Sequence, residues 1–157
     1  MARVLVTGMS GAGKSTLLDA LARRGYCTVD TDYDDWEVAD AQWDEPRMSA
    51  LLEAHHTIAV SGTAENQGRF YDRFEHVVYL YVPLPTLLDR VRVRTTNPYG
   101  KTAEQQEDIT RYVAEVEPLI RRGATLELDG LLPVDDLADR VERCLRGTGQ
   151  DEGPSPS

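Results

Sequence analysis

Apolar residues alternate along the chain between two spacings. Short unbroken apolar runs, read as strands buried on both faces, are separated by stretches in which apolar positions recur at i, i+3, i+4 and i+7, read as helices. The first run, Arg3-Val4-Leu5-Val6-Thr7, is followed by glycines and then by a helix from Lys14 to Arg24, with Leu17, Leu18 and Leu21 on one face and Gly25 as its stop. Tyr26-Cys27-Thr28-Val29 is a second strand, Thr57-Ile58-Ala59-Val60 a third, Val77 to Val82 a fourth ended by Pro83, and Thr125 to Asp129 a fifth. Trp36, Ala39 and Trp43 stand at helical spacing. Glu45-Pro46 opens a helix striped by Met48, Leu51, Leu52 and His55, and the segment Glu65 to Arg73 enters a short one. Leu84, Leu87, Leu88 and Val91 stripe the next helix. A long helix from Ala103 to Arg122 carries Ile109, Tyr112, Val113, Val116, Leu119 and Ile120, with Pro118 expected to bend it, and the last runs from Val134 to Arg146.

The pattern predicts an α/β fold, a five-stranded parallel sheet with helices on both faces. Strand, helix and strand in this order form a right-handed parallel unit, so the glycine-rich turn after the first strand and Asp30-Thr31-Asp32 after the second meet at the carboxyl edge of the sheet, where open α/β folds bind ligands. Residues 1–147 are expected to form one domain. Within it, 33–56, between the second and third strands, is expected to form the side that receives a second ligand, the acceptor, and Thr95 to Thr102, loop-like throughout, forms a cover with Gly100 as a hinge and Lys101 as a closing charge. The Gly-, Pro-, Ser- and acid-rich tail 148–157 is expected to be disordered.

Composition narrows the partners. With 157 residues, a net charge of −10 and a pI near 4.7, the chain does not suit a polyanion such as nucleic acid. No apolar run approaches the ~20 residues that span a bilayer, and no signal peptide precedes the first strand, so neither membrane nor export is expected and the location expected is cytoplasmic. Cys27 and Cys144 are expected to be buried thiols. His55 and His56 carry no assigned chemistry.

The turn after the first strand reads Gly8-Met9-Ser10-Gly11-Ala12-Gly13-Lys14-Ser15, the spacing GxxxxGKS. Backbone amides of Gly8, Ser10, Gly11, Ala12, Gly13 and Thr16 would cradle phosphates at a helix N-terminus, Lys14 would reach the β- and γ-phosphates, and Ser15 would hold Mg²⁺. The third strand ends Val60-Ser61-Gly62, without the acid of motor-type ATPases, and no Asn-Lys-x-Asp motif is present. The acids stand instead after the second strand. Asp30 and Asp32 either face the γ-phosphate or cap the turn that follows, together with Asp34 and Asp35.

Taken together, the Gly8–Thr16 loop and the Asp30-Thr31-Asp32 triplet resemble shikimate kinase and gluconate kinase, P-loop proteins related to the nucleoside-monophosphate kinases. The resemblance implies ATP and Mg²⁺ as cofactors, Asp30 on the metal side, Asp32 binding the hydroxyl that is phosphorylated, and a lid arginine on the phosphates. Arg94 is the candidate, since it falls roughly 70° from the centre of the Leu84/Leu87/Leu88/Val91 stripe, closer than Arg90 or Arg92, for which a solvated helix face is as good a reading. The glycine triplet of shikimate kinases after the third strand is absent. The acids Asp30, Asp32, Asp34, Asp35 and Glu37 suit a neutral or cationic polyol better than a carboxylate. Arg69 could orient the acceptor or be a surface residue, and Trp36 and Trp43 could wall its pocket or simply pack. The reading that results is a small-molecule kinase acting on a hydroxyl, with catalytic Lys14, Asp32 and Arg94, metal-side Ser15 and Asp30, and substrate-side Asp32, Trp36 and Arg69. Two alternatives stand beside it: a nucleoside-monophosphate kinase gripping phosphate with Arg47, Arg69 and Arg73, and a nucleotide-binding switch with no second substrate. The oligomeric state is not legible.

Overall fold

The structure, a computed structural model, describes residues 2–9, 11–39, 42–93 and 101–147. Ser10, Arg94, most of the expected cover and the tail lie outside them. In chain order the elements are β1 (Arg3–Thr7), α1 (Lys14–Arg23), β2 (Thr28–Asp30), β3 (Glu37–Ala39), β4 (Gln42–Trp43), α2 (Glu45–Ala54), β5 (Ile58–Ser61), a 3₁₀ helix (Gln67–Arg73), β6 (His76–Tyr81), α3 (Leu84–Val93), α4 (Ala103–Gly123), β7 (Leu126–Asp129) and α5 (Val134–Arg146). Among the described residues no helix is long and apolar enough to cross a membrane.

Five strands form one parallel sheet in the order β2-β5-β1-β6-β7, so the strand that leads into the glycine loop lies at the centre, between β5 and β6. Alternation along β1 divides the interior in two. Val4 and Val6 join Leu17, Leu21, Val91 and Val141 beneath α1, α3, α4 and α5, whereas Leu5 joins Trp43, Met48, Leu52 and Phe70 beneath α2 and the 3₁₀ helix. Both faces of the central strand are therefore covered, which is why its sequence is continuously apolar.

Three expectations are corrected. The Trp36, Ala39, Trp43 spacing is not helical: β3 and β4 form a small antiparallel ladder. Its second strand is held by Asn66, whose side chain accepts from Trp43 N–H at 2.9 Å and donates to Trp43 C=O at 3.0 Å, as a neighbouring backbone would. Cys27 is exposed because it leads into β2, an edge strand; Cys144 is buried, which pushes its thiol pKa up. On α4, Ile109, Val113 and Ile120 are buried, but Tyr112 and Leu119 are exposed.

The turn after β2 is fixed by Thr31, which donates through both its N–H (2.9 Å) and its Oγ1 (2.8 Å) to the carbonyl of Ser61, while Trp43 Nε1 donates to Oγ1 at 3.1 Å. Gly62 leaves room for this knot, since a Cβ there would run into Thr31 Oγ1. Gly62→Ala is expected to lower unfolding free energy by about 1–3 kcal/mol, as overpacking of a filled interior does, read as a lower urea midpoint at unchanged m-value.

Candidate active site

The glycine loop leads from β1 into α1 with Gly13 at φ 100°, a conformation open to glycine, so that the helix starts with its free amides facing the sheet edge. Lys14 is buried at 9% exposure and folds over the loop, its Nζ donating to the carbonyls of Gly8 at 2.8 Å and Met9 at 3.0 Å. Next to it Ser15 Oγ donates to Asp30 Oδ2 at 2.5 Å. The other oxygen of Asp30 accepts the Asp32 N–H at 3.0 Å. One carboxylate thus spans the first turn of α1 and the chain that presents Asp32. It caps a turn and faces Ser15 at once.

A cavity of about 960 Å³ opens over this edge. On its loop side lie Lys14, Ser15, Arg90 and the segment after β7, including Gly130 and Leu132, with Leu137 of α5 behind. Asp32, Tyr33, Thr63 and Tyr112 also line it. Thr63 Oγ1 donates to Gly8 C=O at 2.5 Å, and Gln67 Nε2 donates to Thr7 Oγ1 at 3.1 Å, so the chain leaving β5 is pinned to the chain leaving β1. Burial raises the Tyr112 phenol pKa, and the carboxylates of Glu65 and Glu37 raise it further.

Among the described residues the cation that reaches the glycine loop from α3 is Arg90. α3 crosses Gly11 with Leu87 and Val91, and Arg90 on the flank of that contact extends Nη1 to Gly11 C=O at 3.1 Å. Arg92 pairs with Asp89 at 2.8 Å, and Arg94 lies outside the described residues. Trp36 does not wall the cavity: it is 5% exposed within the second core, and the Arg47 guanidinium lies 3.9 Å above its ring. Arg47 also donates to the carbonyls of Asp34 and Asp35, both left-handed at φ 65° and 56°, which locks that turn. Arg69 points away from the cavity into a 3.2 Å ion pair with Glu45, and Arg73 donates to Ser49. Thr63, Tyr33, Tyr112 and the segment after β7 were missed. A signal existed for all but Tyr112, since every chain leaving a parallel strand emerges at the ligand edge.

The residues present fit Mg²⁺. Mg²⁺ takes few protein ligands and keeps waters and phosphate oxygens, and the adjacent hydroxyl of Ser15 and carboxylate of Asp30 are hard oxygen donors of that kind. Ser15 and Asp30 would supply the protein side. Ser61, whose partners in the sheet are Asp30 and Val6, shares their face, and its Oγ is a fully buried oxygen with no hydrogen-bond partner. Such an atom at that place suits a bound water.

A family model described as AAA domain matches residues 4–111. A dephospho-CoA kinase of Corynebacterium glutamicum is 24% identical over 155 residues, covering 96% of this chain and 77% of that protein. Among solved structures, the shikimate kinase of Acinetobacter baumannii in complex with shikimate superposes with a TM-score of 0.72 at 19% identity, covering 95% of both chains. A gluconokinase of Sinorhizobium meliloti superposes at 0.62 and 18% identity, over 95% of this chain and 94% of the other. The fold is that of the P-loop kinases.

Proposed function

The chain belongs to the AAA domain family, and on that premise we propose that it is an ATP- and Mg²⁺-dependent kinase that transfers the γ-phosphoryl group to a hydroxyl of a small polyol, sugar or aminocyclitol-like molecule. The observation that carries this reading is the Ser15–Asp30–Asp32 chain, which joins the phosphate loop to a carboxylate in the same cavity. In the reaction the acceptor oxygen attacks the γ-phosphorus, the bond from phosphorus to the β,γ-bridging oxygen breaks, ADP departs with the electron pair, and the hydroxyl proton passes to Asp32. Lys14 and Arg90, both seated on carbonyls of the loop, neutralise phosphate charge, a positioning and electrostatic role that carries most of such catalysis. Bound Mg²⁺ would neutralise phosphate charge from the side of Ser15 and Asp30, with Ser61 beside them.

A nucleoside-monophosphate kinase would need two or more arginines on the acceptor phosphate, and the candidates are engaged elsewhere: Arg47 over Trp36, Arg69 with Glu45 and Arg73 with Ser49. The test is ADP release by the full chain with no acceptor, with nucleoside monophosphates, and with polyols, sugars and aminocyclitols. Acceptor-stimulated release on the last group is expected. Robust turnover of a monophosphate overturns the hydroxyl reading, and release that no acceptor stimulates leaves a nucleotide-binding switch.

A further inference from the structure

The cavity presents two aromatic faces. Tyr33 is 62% exposed and Tyr112 45% exposed, and both line the same space as Asp32. Large aromatic side chains left open inside a cavity, rather than singly on a convex surface, mark a surface shaped for a ligand. Neither placement is accidental. Tyr33 closes the turn with its N–H on the Asp30 carbonyl at 3.2 Å, next to the Thr31 knot, and Tyr112 projects from the middle of the 21-residue α4.

Acidic residues predominate around these faces, with Arg47, which donates to the carbonyls of Asp34 and Asp35, as the cation on that turn. From Asp30 to Glu37 the chain carries Asp30, Asp32, Asp34, Asp35 and Glu37 and no Lys or Arg. Glu65 is held near by Gln42, which donates to it at 2.8 Å, and Tyr112 lies within the field of Glu65 and Glu37. The cations among the described lining residues, Lys14 and Arg90, are both tied to carbonyls of the glycine loop, on the donor side. An acceptor bearing carboxylate or phosphate would meet repulsion there. A neutral polyol can lay its C–H faces on the rings, but it leaves the negative charge of Asp32 and its neighbours without a counter-charge.

We propose, building on the kinase reading above, that the acceptor carries a protonated amine in addition to its reacting hydroxyl, an amino sugar or aminocyclitol held against Tyr33 and Tyr112 while Asp32 receives the hydroxyl proton. A cation over a tyrosine ring is attracted by the negative face of the ring, and surrounding carboxylates add to that attraction at short range. Both requirements are met by one ligand class.

The experiment compares acceptors that differ only at the position of the amine: glucosamine against glucose and N-acetylglucosamine, and scyllo-inosamine against scyllo-inositol, with gluconate and adenosine as carboxylate and uncharged aromatic arms. The full chain is used, and kcat/KM is read from ADP release. The amine-bearing member of a pair is expected to be favoured by about tenfold or more, the scale of a desolvated cation–π contact. Tyr33→Leu and Tyr112→Leu are expected to bring that ratio toward one, and Tyr112→Phe to keep it. Melting midpoints of the variants near that of the parent exclude misfolding, as both side chains are exposed. Equal or better use of the neutral partner, preference for gluconate or adenosine, or a ratio that survives both leucine variants overturns the proposal and leaves the kinase reading standing. Release stimulated by no acceptor overturns both.

Discussion

Asp32→Asn is expected to lower kcat for phosphoryl transfer by about 10²–10⁴-fold, the usual range for loss of a positioned general base, and to leave ATP affinity within about twofold of the parent. The prediction is selective because of how Asp32 is attached. Its backbone N–H, not its side chain, closes the turn onto Asp30, so the amide variant keeps the turn, keeps the Ser15–Asp30 hydrogen bond, and keeps the volume of the side chain. What it loses is a proton acceptor at the acceptor hydroxyl. Single-turnover transfer and nucleotide binding measured on the same sample separate these two quantities. ATP binding weakened as much as by a change at Lys14 would mean that Asp32 serves the nucleotide and not the acceptor.

Lys14→Ala is expected to fail in the opposite way, lowering kcat/KM for ATP by about 10²–10³-fold, as loss of one preorganised charge on a transferring phosphoryl group does. The loop itself should survive the substitution. Gly8 C=O keeps Thr63 Oγ1 and Met9 C=O keeps the Ala12 N–H when Nζ is removed, so neither carbonyl is stranded. The loss is then chemical rather than conformational. ATP titration should show weakened binding at a nearly unchanged melting midpoint. A large drop in that midpoint would show that the ammonium holds the loop together rather than the phosphates.

The donor side was legible because it is local. A strand, three glycines, Lys14 and Ser15 fall within a single strand-to-helix turn, and the crossover rule then brings Asp30 and Asp32 to the same edge. Arg90 was not legible, because a helical wheel finds the centre of an apolar stripe but not the angle at which α3 crosses Gly11, and a long side chain on the flank of that crossing reaches the loop first. The β3–β4 ladder was hidden for a related reason. The spacing of Trp36, Ala39 and Trp43 suits a helix, but the chain is held extended at Trp43 by a side chain 23 residues away, Asn66. Tyr33, Thr63 and Tyr112 come from three separate segments and converge only once the sheet is assembled. Trp36 was read by its chemistry, whereas Arg47 above its ring and the second core beneath it decide its place.

The division of the interior by β1 has a consequence for how such a protein diversifies. Met9, Ala12, Leu17 and Leu87, which support the phosphate loop, belong to one core, while Trp36, Trp43, Ala64 and Phe70, which support the chain around Thr31 and Thr63, belong to the other. Contacts within a packed core are coupled, and contacts across a sheet are coupled far less. Drift in the second core can therefore reshape the acceptor side one substitution at a time while the nucleotide remains bound as before, so that new acceptors can be sampled without a loss of phosphate donor.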